Sequence, residues 1–234
     1  MNFLLHRHLT ARDLGSPAAG IGAMLPDLWR MADRRVRPRG ATPPPPAGID
    51  ATLAAVLAGV AHHLELDAWF HRAPVFIEGE KLAAESLRAS GIQASRMGML
   101  AHVIWEMCLD GALLRREGLE PVIAVLRKGF AETEDARRRA VEILYFEQVE
   151  REPGARDAFD ARLRRLCDEV VRGPWIEGYR DPVGLAVRVA GIRARLGMEA
   201  LSAEDHERLV VALGPVAVAA DEGLVRVLAD RGGR

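Results

Sequence analysis

Two segments of the chain each place a histidine four residues before an acidic residue. The first, HHLELDAWFH at 62–71, contains His63, Asp67 and His71, and the second, AHVIWEMCLD at 101–110, contains His102 and Glu106. An α-helix turns about 100° per residue, so residues four apart lie on one face of it. We therefore expect His63, Asp67 and His71 to form a single stripe that could bind a metal ion or face solvent.

The second segment is too apolar to be a freely solvated helix face. Asp110 continues its four-residue spacing, and the positions between the polar residues are apolar. An unpaired buried carboxylate is costly, so buried acids are normally paired or bound to metal. The alternative, an exposed ion pair between His102 and Glu106, contributes little to stability. The pattern favours metal binding, with Asp110 either orienting a ligand or facing water.

Two more segments near the amino terminus carry candidate ligands. Asp27 follows Pro26 in GAMLPDLW, where such a residue is usually a helix cap or turn residue. Its apolar neighbours leave a ligand role open. The opening FLLHRHL contains His6 and His8, whose imidazoles would point the same way in an extended chain and diverge in a helix.

Together these segments offer more donors than one tetrahedral ion can use. Nitrogen and oxygen ligands without thiolate suit zinc, manganese or iron(II), with zinc the first expectation. Two or three divalent ions would use most of the set, and such ions activate water and hold phosphate oxygens. The five imidazoles and three carboxylates are His6, His8, Asp27, His63, Asp67, His71, His102 and Glu106.

Composition and periodicity predict an all-α protein with a single helical domain over 1–234. Helices are expected near 17–33, 51–72, 75–89, 93–116, 120–132, 134–151, 155–172, 183–196 and 203–230. The metal-binding half is expected at about 1–116, with a Pro-rich connector at 34–48. In the helical carboxy-terminal half, 117–234, no residue pattern indicates a catalytic or metal-binding site. His206 is expected to lie at a solvated helix start.

The bulk numbers limit the classes of partner and compartment. A net charge of −1 offers no steering toward nucleic acid or anionic membranes, and two cysteines cannot build a disulfide framework. No stretch approaches the roughly 20 apolar residues of a membrane helix, and the amino terminus does not match a signal peptide. The expectation is a cytoplasmic protein without a membrane span.

Three motifs resemble the acyl carrier protein phosphodiesterase family. They are MNFLLHRHL, GAMLPDL and GVAHHLELDAWFHRAPVF, and the likeness covers roughly the first 110 residues. The chain departs from that family at two places. It has His102-x3-Glu106-Met107 where the family has Asp-x3-Asp-His, and His71 where the family has an Asp.

These departures make the chain similar to a second group, the zinc-dependent phospholipases C and related single-strand nucleases. Those all-α enzymes hold three zinc ions. The resemblance implies that His63, Asp67, His71, His102 and Glu106 are ligands. It also implies that Asp27 is a ligand or the base beside a nucleophilic water. Those enzymes, however, are secreted and begin with a metal-binding Trp, whereas this chain begins with Met.

The favoured function is that of a metal-dependent phosphoesterase acting on a phosphodiester. The substrate would be a phosphorylated small molecule, a lipid or a carrier protein. Arg72 and Trp29 are candidates for contact with it. One alternative is a catalytically degraded or non-enzymatic metal-binding helical scaffold. A di-iron protein for oxygen chemistry is a further alternative, although its usual Glu-x-x-His spacing is absent.

Overall fold

Helices make up all of the regular structure in the described residues, which confirms the predicted all-α class. The computed structural model describes residues 3–36, 46–92, 96–149 and 152–232. The helices are α1 Phe3–Asp13, α2 Pro17–Gly22, α3 Leu25–Ala32, α4 Ala51–Phe70, α5 Pro74–Ala89, α6 Met97–Glu117, α7 Leu119–Glu132, α8 Glu134–Val149, α9 Ala155–Val171, α10 Pro174–Glu177, α11 Pro182–Arg195 and α12 Ala203–Gly232.

Local sequence signals explain where several helices begin. The Ser16 hydroxyl accepts a hydrogen bond from the Ala19 N–H at 3.2 Å, and Pro17 occupies the first turn of α2. Asp50 accepts from the Leu53 N–H at 2.8 Å and so caps α4. Such caps satisfy backbone donors that have no partner within the helix.

The structure decides one open alternative near the amino terminus and corrects two local expectations. From Phe3 onward the described residues form a helix, α1, so of the two alternatives for His6 and His8 the chain adopts the helical one. The expected helix at 17–33 is two helices, because the chain turns at Ala23 and Met24 just before Pro26. Helix α4 ends at Phe70, so His71 lies beyond it, outside the expected helical stripe. Most of the Pro-rich connector, residues 37–45, lies outside the described residues.

The described helices cluster into two compact units, each built from separate parts of the chain. The first unit comprises 3–69 and 120–173, and the second comprises 70–119 and 174–232. Each unit therefore combines residues from both sides of position 117. The expectation of one domain with a metal-binding half at about 1–116 stays a prediction.

The first unit contains close backbone contacts between α2 and α4. A Cβ on Gly22 would lie 2.2 Å from the Val56 carbonyl oxygen, and a Cβ on Gly59 would lie 2.0 Å from that of Ala19. Only glycine allows backbones to approach so closely. These contacts fix α2, and the turn that follows it, against α4.

The second unit has α6 at its core, in contact with α5 and α12. The Trp105 ring lies against two glycines. A Cβ added to Gly79 would be 1.9 Å from the ring, and a Cβ added to Gly223 would be 2.9 Å from it. Among the described residues, α6 alone is long and apolar enough to cross a membrane, but 72% of its most apolar window is buried. Such burial is typical of a core helix.

Candidate metal centres

The first unit brings together three candidate ligands, His6, His63 and Asp67. His6 comes from α1, whereas His63 and Asp67 lie one turn apart on α4. Each residue offers a donor atom within 4.8 Å of the other two, and the two imidazole rings are 4.3 Å apart between centroids. Both histidines are buried and Asp67 is half-buried. Two imidazoles and a carboxylate form a donor set that suits zinc, manganese or iron.

A hydrogen bond to a backbone carbonyl orients the His63 ring. Its Nδ1 lies 2.7 Å from the Ala23 oxygen. A carbonyl oxygen can only accept, so Nδ1 must carry the proton and donate it. In the neutral imidazole the lone pair is then on Nε2, the atom left for a metal. Metal-binding histidines almost always have such a partner on their other ring nitrogen.

The position of that carbonyl follows from the contact between α2 and α4. Gly59 and His63 are one turn apart on α4, and Ala19 and Ala23 are joined by an N–H···O bond of 2.9 Å. The absence of a side chain at Gly59 lets Ala19 approach α4 and brings Ala23 against His63. Ala19 in α2, Ala23 directly after α2 and Gly59 in α4 thereby set the tautomer of a candidate ligand.

The second unit brings together His71, His102 and Glu106. Glu106 Oε1 lies 3.6 Å from His71 Nε2 and 3.5 Å from His102 Nε2. These distances are long for a charge-assisted hydrogen bond, for which about 2.7–2.9 Å is usual. Two ligands bound about 2.1 Å from a tetrahedral ion, in contrast, are about 3.4 Å apart. Both nitrogen-to-oxygen distances therefore match those between ligands of one ion, and they also lie within ion-pairing range.

An aromatic side chain holds the two imidazoles of this second group in place. The rings of His71 and His102 have centroids 4.7 Å apart. Phe76, in the first turn of α5, has its ring centroid 4.8 Å from that of His71 and 4.9 Å from that of His102. One residue on α5 thus packs against a ligand in the preceding loop and a ligand on α6.

Glu106 is buried, and the pKa of its carboxyl lies below the ordinary value. Burial alone would raise the pKa of its carboxyl, yet the imidazoles of His102 and His71, which face the carboxylate, contribute to a pKa well below the ordinary value. The shift favours the charged form of the carboxylate, which is also the form that a bound cation needs.

The remaining predicted residues occupy different places. His8 is half-buried on α1, and Asp27 is half-buried in the first turn of α3; in the part of the chain described, neither belongs to the two groups. Trp29 is fully buried beside Tyr145, which makes it a core residue and not a surface for substrate. Arg72 is exposed next to His71, and Asp110 is fully buried one turn beyond Glu106.

Sequence reasoning missed the environment of His62. Its Nδ1 lies 2.9 Å from the Thr10 hydroxyl and its Nε2 lies 3.4 Å from an Asp13 carboxylate oxygen. The His62 imidazole on α4 therefore contacts α1 at Thr10 and at Asp13. These two residues lie one turn and two turns after His6 on α1. Nothing in the sequence separates the roles of His62 and His63 until α1 is known to be helical.

Comparison of the chain with protein-family models, with curated proteins and with solved structures gives no match.

Proposed function

We propose that this protein is a divalent-metal-dependent hydrolase that cleaves phosphoesters, with a phosphodiester as the first candidate substrate. The observation that carries the proposal is the convergence of His71, His102 and Glu106, with nitrogen-to-oxygen distances of 3.5 and 3.6 Å that match the edge of a metal coordination sphere. The second group, at His6, His63 and Asp67, supports the same chemistry with the same types of donor.

Zinc, manganese or iron ions at such sites make water a stronger nucleophile at neutral pH and neutralise phosphate charge. The residues of this chain would hold the ions and keep the imidazoles in the right tautomer. His63 does so through the Ala23 carbonyl. Arg72, which is exposed beside His71, would attract the anionic substrate.

Two alternatives in the donor chemistry fit less well. Thiolate ligation is not indicated, because neither buried cysteine belongs to a ligand group in the part of the chain described. A di-iron oxygen site would require carboxylate bridges, whereas each group has two imidazoles and one carboxylate. The resemblance to zinc-dependent phospholipases C and to acyl carrier protein phosphodiesterases agrees with phosphoester hydrolysis and remains part of the proposal.

Hydrolysis of bis(p-nitrophenyl) phosphate by the full chain, reconstituted separately with zinc, manganese and iron(II), tests the function. We expect turnover that chelator abolishes, and a loss of orders of magnitude in Glu106→Gln. Asp27→Asn tests whether that residue acts as a base, as the resemblance implies. His206→Ala, far along the chain on α12, serves as the control and should behave as the wild type. Metal binding without turnover of this diester or of p-nitrophenyl phosphate would contradict the hydrolase and leave a metal-binding helical scaffold.

A further inference from the structure

The two ligand groups differ clearly in their exposure to solvent. His6 and His63 are 4% and 5% exposed. His71 and His102, by contrast, are both half-buried; the carboxylates show the opposite order, since Asp67 is half-buried and Glu106 is buried. Structural zinc sites are closed by protein ligands, whereas catalytic sites keep a position open for water or substrate. Exposure therefore bears on the role of each group.

The buried group joins two helices that are far apart in sequence. His6 belongs to α1, and His63 and Asp67 belong to α4. The His63 ring is already fixed by its bond to the Ala23 carbonyl. An ion held here would add a crosslink between the helices, and its release would require the movement of buried side chains.

The second group presents its imidazoles to solvent and its carboxylate to the interior. Glu106 is 3% exposed, and both histidines that face it are about one-third exposed. The adjacent Arg72 is exposed. Water and chelators can therefore reach the imidazole rings of this group, although the Nε2 atom of His71 is itself buried.

We propose that the ion at His6, His63 and Asp67 is a slowly exchanging structural ion that fastens α1 to α4. The ion at His71, His102 and Glu106 exchanges readily, and substrate binds at this second group. The inference rests on the metal-binding part of the proposed function. It goes further because it assigns a different role to each group.

Zinc release from the full chain tests this assignment. The protein is loaded with zinc, freed of unbound ion and mixed with excess chelator and a zinc indicator. We expect a fast and a slow phase. His102→Ala should remove the fast phase and Asp67→Asn the slow one. Glu65→Gln, an exposed neighbour on α4, and His206→Ala should retain both phases.

The melting temperature, measured after each release phase of the wild-type protein, provides a second readout. It should stay unchanged when the fast ion has left and fall when the slow ion leaves. A single release phase would overturn the assignment. Loss of the slow phase in His102→Ala, or a fall in melting temperature with the fast ion, would also overturn it. If zinc is retained but released in one phase, only this inference fails; if no zinc is retained, the proposed function fails as well.

Discussion

The contact between Gly59 and Ala19 predicts that one methyl group will disturb both folding and metal binding. In Gly59→Ala the new Cβ would lie 2.0 Å from the Ala19 carbonyl oxygen, whereas real contacts are not shorter than 3.0 Å. The two backbones must therefore separate by the difference, 3.0 − 2.0 = 1.0 Å. Ala23, which bonds to Ala19 within the same turn, would move with it.

The same displacement would break the bond that orients His63. If the full 1.0 Å adds to the present 2.7 Å separation of Nδ1 from the Ala23 oxygen, the separation reaches 3.7 Å, beyond hydrogen-bonding distance. Overpacking costs about 1–3 kcal/mol and the lost bond about 1 kcal/mol. The better helix propensity of alanine offsets about 1 kcal/mol of this. We expect a net loss of about 1–3 kcal/mol in the free energy of unfolding.

Urea unfolding of the metal-free protein measures the stability change, and a competition titration with a zinc indicator measures affinity. Affinity at the His6, His63 and Asp67 group should fall by about 10–100-fold, as for other lost partners of metal-binding histidines. Gly191→Ala is the matched control, since that helical glycine has open space and the change should stabilise by about 0.5–1 kcal/mol. A Gly59→Ala protein as stable as the wild type, with unchanged zinc affinity, would refute the reasoning.

Further predictions concern the core of the second unit and the thiol on α6. Gly79→Ala should lower the free energy of unfolding by about 1–3 kcal/mol in urea, because its Cβ would lie 1.9 Å from Trp105; an unchanged midpoint would contradict this packing. Burial raises the pKa of Cys108 to about 12, so the folded protein should not react with an aromatic disulfide reagent at pH 8 until urea unfolds it. The unfolded thiol ionises near its ordinary 9.0, so the stability that burial of the neutral thiol confers should be lost as pH rises from 9.0 toward about 12. The free energy of unfolding of Cys108→Ala should therefore fall less steeply with pH in that range than that of the wild type. An equal slope in the two proteins would contradict the raised pKa of Cys108.

The sequence was sufficient for the helical class and for part of each ligand group. The sequence could pair His63 with Asp67 and His102 with Glu106, because residues four apart lie on the same face of a helix. The helix starts expected near 51 and 75 agree with α4 and α5, because caps and prolines act locally.

The partners of those pairs could not be read from spacing. His6 joins His63 only because α1 is helical and packs beside α2, and His71 joins His102 because α4 ends at Phe70. A search for polar side chains does not find the Ala23 carbonyl, because it is a backbone group and every residue has a backbone carbonyl. Tertiary packing decides such contacts, and the sequence of a single segment does not.

Metal content of the full chain tests the central claim most directly. After incubation with zinc, manganese or iron(II) and thorough dialysis, elemental analysis and native mass spectrometry should find stoichiometric divalent metal. His63→Ala and His102→Ala should each lower the amount, while His206→Ala should not. No retained metal under any of these conditions, with an identical melting temperature with and without chelator, would contradict the account.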